Sequence, residues 1–262
     1  TIPGTLIDLT FVAGTVLNPT LYGGDGADTL INVSGSGGLL LGDLGNDILM
    51  SLTALDRGTL YGGDGNDTLI LPPAGGTVEV PLLGTVLVPL QTTTLAAGGT
   101  LYGADGNDTL VAASGTAPLL LGGLDQDLLL AVAAVVAPTL YGGDGNDTIT
   151  LIGDPNPPPS PPLAPPPPGG VLTGGLGRDL VTPVGGVLPT LYGADGNDTL
   201  IATAGTGGTA LPGLTVLGVT VVLPEGIGTT TLPSNGPTAP VLIGGIGNDL
   251  LTVAAGTLPT LY

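Results

Sequence analysis

Cysteine, histidine, lysine and tryptophan are absent from the 262 residues, and the only basic side chains are Arg57 and Arg178. Without cysteine, neither a disulfide framework nor a thiolate metal site can form, although this absence does not fix the compartment. Without histidine, cysteine or lysine, no serine or cysteine triad can be assembled in its usual form. With no basic patch to meet phosphates, nucleic acid is excluded as an expected partner. The longest apolar run, Leu128–Ala137, is too short to cross a bilayer, so no membrane span is expected. No signal peptide is visible and the sequence opens on Thr1, which reads as a processed or partial chain.

What is abundant is acid, glycine and proline. Twenty-one acids give a net charge of −19. All aspartates but Asp56 and Asp154 lie in, or align with, glycine turns, so the acidity is concentrated rather than spread. Such clustering repels unless a cation is present. Glycine (49) and proline (26) reach levels that often signal disorder, but a hydrophobic fraction of 42% and evenly spaced glycines point to ordered repeats.

The repeat is Thr59–Ile70, TLYGGDGNDTLI. It recurs at Thr20–Ile31, Thr100–Val111, Thr139–Thr150 and Thr190–Ile201, and Thr260-Leu261-Tyr262 begins one more copy. All six tyrosines fall at this one place. Periodic self-similarity decides the architecture before any local reading does. Gly62-Gly63-Asp64-Gly65-Asn66-Asp67-Thr68-Leu69-Ile70 fits G-G-x-G-x-D-x-U-x, with U a large apolar residue. It resembles the calcium-binding nonapeptide of the RTX (repeats-in-toxin) family. That resemblance implies a parallel β-solenoid with Ca²⁺ held between stacked turns, the carboxylate coming from the sixth motif position: Asp28, Asp67, Asp108, Asp147 and Asp198. The residues agree, since glycines permit close backbone approach and carboxylates with bared carbonyls are the hard oxygen ligands that Ca²⁺ prefers.

A second, weaker turn alternates with the first: Leu39–Leu49, Leu119–Leu129, Val171–Val181 and Val241–Leu251. The strong turns are here called A and the weak ones B. From Thr20 to Leu39 is 19 residues and from Leu39 to Thr59 is 20, so an A-to-A coil of 39 residues with two turns is expected. About five such coils would stack into an all-β parallel solenoid (β-roll or β-helix), a single unit over residues 1–262, wider and flatter than the compact RTX form. A metal-free B turn is expected near Pro81–Leu90, which has no aspartate. Two insertions interrupt the count. One is the proline tract 154–168, a looped-out polyproline II segment. The other lies within about 205–240 and holds an alternating run, Leu214–Leu223, read as a loop or an accessory hairpin.

The expected Ca²⁺ ligands in the A turns are Asp25, Asp28, Asp64, Asp67, Asp105, Asp108, Asp144, Asp147, Asp195 and Asp198. In the B turns they are Asp43, Asp47, Asp125, Asp127, Asp179 and Asp249, with Asp8 in a half turn near the start. Arg178 would replace a cation with its guanidinium. The bland alternative is that Asp-Gly and Asn-Asp are ordinary turn formers. An EF-hand is excluded because the distal bidentate glutamate is missing, and the dinucleotide fingerprint fails because no helix follows. Tyrosines and threonines (Thr20, Thr59, Thr100, Thr139, Thr190) should form ladders that pin register, or else present a flat ice-binding or glycan-binding array. Four Asn-Asp-Thr sequons lie inside the metal turns, leaving Asn32-Val33-Ser34 as the freer glycosylation candidate. Paired aspartates repeat at every coil, as structural ligands do and a single active site does not, so no enzyme is expected. The expected function is a secreted, Ca²⁺-stapled structural solenoid, extracellular or at the cell surface, whose partner is itself, head to tail in a filament. This follows from a chain that begins midway through one turn and ends midway into another. The alternative is the RTX-like stalk of an adhesin or ice-binding protein, with surface glycans as possible ligands.

Overall fold

Leucine, isoleucine, valine and threonine alternate with the chain's direction in short runs, each closed by glycines, and such runs form strands that bury one face. The structure, a computed structural model, describes residues 19–32, 38–51, 58–71, 77–80, 84–87, 98–113, 116–133, 137–153, 170–184, 190–202, 214–216, 219–222, 241–253 and 260–261. Among them there is no helix.

The first strands are β1 (Thr20–Asp25), β2 (Thr29–Asn32), β3 (Leu39–Leu44), β4 (Ile48–Ser51), β5 (Thr59–Asp64) and β6 (Thr68–Leu71). A hairpin follows, β7 (Thr77–Val80) and β8 (Gly84–Leu87). Next come β9 (Thr100–Asp105), β10 (Thr109–Ala112), β11 (Leu119–Leu124), β12 (Leu128–Ala133), β13 (Thr139–Gly145) and β14 (Thr148–Gly153). Then β15 (Val171–Gly177), β16 (Leu180–Val184), β17 (Thr190–Gly196) and β18 (Thr199–Ala202) precede a second hairpin, β19 (Leu214–Val216) and β20 (Val219–Val222). The last strands are β21 (Val241–Gly247), β22 (Leu250–Val253) and β23 (Thr260–Leu261).

The fold is an all-β parallel solenoid. One sheet has ten strands in the order β1-β3-β5-β9-β11-β13-β15-β17-β21-β23, and the other has nine, β2-β4-β6-β10-β12-β14-β16-β18-β22. The strand before an A turn pairs directly with the strand before a B turn: Leu39 lies opposite Thr20 on one side and Thr59 on the other. The expected 39-residue coil with two turns is therefore corrected. A and B turns share one corner, each coil holds one turn, and successive rungs lie 19 or 20 residues apart. The expected count of about five coils rises accordingly.

The segment near Pro81–Leu90 is also corrected. Gly84–Leu87 pairs antiparallel with Thr77–Val80, outside both parallel sheets. Lacking the glycine pair and the aspartate, it makes no turn of the column, and β5 stacks directly on β9. In the later insertion, β19 and β20 pair antiparallel. The proline tract 154–168 lies outside the described residues.

Inside, the second residue of each of the first nine strands of the ten-stranded sheet is a buried leucine: Leu21, Leu40, Leu60, Leu101, Leu120, Leu140, Leu172, Leu191 and Leu242. They pack in one cluster with Leu30, Leu49, Leu69, Leu110, Leu129, Ile149, Val181 and Leu200 of the other sheet. Each such leucine contributes about 1.5–3 kcal/mol by leaving water, and the column is the same in A and B coils. Outside, the coils differ. Among the described residues, Tyr61 and Tyr102 alone stack directly, with ring centroids 5.2 Å apart. Elsewhere Leu41, Leu121 and Thr173 separate the tyrosines, and Leu39, Leu119, Val171 and Val241 break the threonine column. The continuous tyrosine and threonine ladders expected of adjacent A turns are thus interrupted by the B coils. Asn32 is buried, its Nδ2 donating to Ser51 Oγ at 3.5 Å, so the freer sequon has its asparagine indoors.

Candidate cation column

The corner shared by all turns is shaped by glycine at two motif positions. At the first, a Cβ on Gly62 would collide with Asp67 Oδ2 of its own coil and lie 2.7 Å from the Gly103 carbonyl oxygen of the next. At the fourth, Gly65 holds φ at 133°, and a Cβ there would strike the carbonyl of Gly45. Glycine fills the first position of every described turn and the fourth of all but one, where Asp125 stands, and so lets neighbouring turns approach this closely. The strand register passes over the first-position glycine in every pair, for example between Tyr61↔Tyr102 and Gly63↔Ala104, so the sheet ladder is interrupted there.

The approach stacks the sixth-position aspartates in file. Asp28 N–H donates to Asp47 Oδ1 at 2.8 Å, Asp47 to Asp67 at 2.7 Å and Asp67 to Asp108 at 2.7 Å. Asp108 donates to Asp127 at 2.8 Å, Asp127 to Asp147 at 2.9 Å and Asp147 to Asp179 at 2.8 Å. Asp179 donates to Asp198 at 2.9 Å and Asp198 to Asp249 at 3.0 Å. From Asp47 to Asp249, Oδ1 is thus satisfied. Oδ2 is not: in Asp28, Asp47, Asp67, Asp108, Asp127, Asp147, Asp179 and Asp198 it is buried without a hydrogen-bond partner.

Burial is the main force on the carboxyls of Asp47, Asp67, Asp108, Asp127, Asp147, Asp179 and Asp198 and pushes them up. Asp127 rises to about 8, Asp67 and Asp179 to about 7, and Asp47, Asp108 and Asp147 to about 6. Asp198 is raised by the same cause. The backbone N–H bond to each pulls the other way, and neighbouring aspartate charges add to the rise. A file of buried like charges is unstable alone. A cation or a proton must satisfy the orphaned oxygens.

The remaining sequence candidates go elsewhere. Asp25, Asp64, Asp105, Asp144 and Asp195 are exposed, aligned with the exposed apolar side chains Leu44, Leu124, Leu176 and Ile246. Asp43 and Asp125 are exposed at positive φ of 86° and 75°. Asp8 lies outside the described residues. The structure therefore gathers Asp28, Asp47, Asp67, Asp108, Asp127, Asp147, Asp179, Asp198 and Asp249 and leaves the other seven on the surface. Arg178 is exposed while Asp179 keeps its place in the file with Oδ2 unpaired, so the expected guanidinium substitution does not occur.

The residues present fit a hard cation in a limited way. Among the described residues no three carboxylates converge. Around Gly23, Gly42, Gly62, Gly103, Gly122, Gly142 and Gly193 the gap instead offers one aspartate Oδ2 beside a glycine carbonyl of the next coil, as Asp67 Oδ2 and Gly103 O do around Gly62. Carboxylate plus carbonyl is Ca²⁺ chemistry. A second ladder was missed by sequence reasoning. Asn66 N–H donates to Asn46 Oδ1, Asn107 to Asn66, Gln126 to Asn107, Arg178 to Asn146 and Asn248 to Asn197, at 2.7–2.9 Å. Its signal was the asparagine that recurs one residue before the buried aspartate, noticed only as part of a sequon. It runs opposite to the aspartate file, which braces the turn from both directions.

A family model described as the RTX calcium-binding nonapeptide repeat matches residues 20–38, 59–71, 100–116, 139–151 and 190–207. Over these five segments the chain is similar to RTX calcium-binding repeats. The matches fall on the A coils; the B coils lie outside the matched ranges yet hold their aspartates in the same file. RTX nonapeptides bind calcium, form a structural module, and occur in proteins that are generally secreted. Among curated proteins, none matches the chain.

Proposed function

We propose that the protein is a secreted structural solenoid, stapled by Ca²⁺ along one corner, that assembles head to tail into an extracellular filament. The observation that carries the calcium reading is the column of eight buried, unpartnered carboxylate oxygens. Ca²⁺ bound there would supply charge neutralisation and nothing catalytic; the matched repeat brings no enzyme family with it. The sixth-position aspartates of both turn types would be the ligands, with first-position glycine carbonyls beside them. The seven exposed aspartates would contribute surface charge rather than ligation.

Assembly of like copies draws on the direction of both hydrogen-bonded files: aspartate N–H groups reach the next coil and asparagine-site N–H groups the coil before, so a stack can be extended only by a copy facing the same way. No described helix is long and apolar enough to cross a membrane. The test is a Ca²⁺ titration of chelated protein, followed by circular dichroism, light scattering and electron microscopy. Sheet signal and filaments rising together support the whole reading. Sheet signal with monomers only retains the staple and removes the filament.

A second reading, a binding module such as an adhesin stalk, is favoured by the exposed tyrosines Tyr22, Tyr141 and Tyr192 on one sheet face. The ice-binding form of it needs an unbroken threonine column, which the B coils interrupt.

A further inference from the structure

A solenoid coil touches only the coils before and after it, so unstacking can begin at any rung. Two insertions depart from that rule. The first leaves after Leu71 of β6 and returns at β9; the second leaves after Ala202 of β18 and returns at β21. Five coils lie between the two exits, from β9 and β10 through β17 and β18. At about 4.8 Å per strand step, the exits stand about 24 Å apart.

The insertions nevertheless meet. β20 pairs antiparallel with β7 through Thr220↔Glu79, Val221↔Val78 and Val222↔Thr77. Each brings its own hairpin partner, giving the order β19-β20-β7-β8, so the two central strands come from different insertions. We propose that this four-stranded sheet is a clasp that makes the five intervening coils one cooperative unfolding unit. With both exits held, opening any rung between them must stretch the block against the clasp or break it. Without the clasp, each rung opens against its neighbours alone, and the block would unzip progressively. The sequence steps agree with a dedicated purpose. The rungs that flank these insertions are 41 and 51 residues apart, where uninterrupted rungs need 19 or 20.

The test uses the full chain and two excisions, residues 73–94 and residues 205–236. Each restores the 19-residue step that uninterrupted coils use. Amide hydrogen exchange of β9 to β18 is read by mass spectrometry, in one buffer for all variants. In the intact chain these strands should exchange together. Either excision should raise their exchange by about tenfold and spread the rates along the block. The double excision should raise it no further than one alone, because either cut already opens the clasp. Unchanged protection, or two effects that multiply, overturns the proposal. If an excised chain loses its parallel sheets, the same cycle is run with Val78→Pro and Val221→Pro, which remove backbone donors within the clasp. Because rates are compared within one buffer, with or without calcium, the outcome is separate from the calcium reading.

Discussion

Asp64 and Asp67 belong to the same turn, three residues apart, and meet opposite environments. Asp67 is buried, receives the N–H of Asp47 and holds an oxygen with no partner. Asp64 is exposed and lies beside Asp105 of the next coil. The contrast repeats in every A turn, and the B turns keep only the buried half, with Leu44, Leu124, Leu176 or Ile246 in place of the outer acid. The buried aspartate is what a turn cannot do without; the outer one is a choice of surface. Aspartate as a turn former explains the outer column adequately. It does not explain a file of carboxylates held away from water.

The largest break in that comparison should come from removing calcium. Each site held at a hundredfold excess over its Kd adds ~2.7 kcal/mol to the folded state, so chelation at pH 8 should strongly lower the thermal midpoint. An unchanged midpoint would show that the leucine core carries the fold unaided. Next in size is Asp67→Ala, which strands the Asp47 N–H and should cost about 1–3 kcal/mol in calcium. Asp67→Asn sharpens the point: it keeps an oxygen acceptor and removes a charge. In chelator it should be at least as stable as the parent, while its calcium affinity falls; equal damage from Asn and Ala in chelator would count against the charge argument.

A smaller effect is expected from pH in the chelated chain. The buried carboxyls titrate at about 6 to 8 in the folded state against 3.8 ordinarily, so the folded chain binds more protons between these limits. The stabilisation is complete below about 3.8 and is lost as pH rises through about 6 to 8. Urea midpoints should therefore fall from pH 5 to pH 8 in chelator, and the slope should flatten in saturating calcium. A midpoint that rises with pH would contradict the burial of the file. The smallest effect is Asp64→Ala, within about 0.5 kcal/mol in either direction by the same unfolding measurement.

Much of this was legible in the sequence, and the errors have a common origin. The nonapeptide identified the turn, and its sixth-position aspartate is the buried one. The strand pattern at Leu214–Leu223 contained the β19 and β20 hairpin. The coil size was misjudged because Leu39 and Thr59 differ outwardly, which suggested two corners. Their inward neighbours, Leu40 and Leu60, are the same residue and are both fully buried. Stacking is decided by the inner leucine and the glycine turn, and the outer residues carry no information about which rung follows which. The pairing of β7 with β20 was beyond sequence reasoning, since two short β-prone runs far apart in the chain have no local signal to say that they meet.

The tyrosine arrangement turns the missing tryptophan into an advantage. Every tyrosine of the described strands, Tyr22, Tyr61, Tyr102, Tyr141 and Tyr192, occupies the third place of a strand in the ten-stranded sheet. With no tryptophan to outshine them, near-ultraviolet absorbance and emission come from the six tyrosines, five of which lie in that sheet, with a weak absorbance from Phe11. The tilted pair Tyr61 and Tyr102, 5.2 Å between centroids, is close enough for their transitions to couple. The molecule thus contains its own optical gauge of whether the coils before and after the first insertion are in contact, and no label is needed to read it.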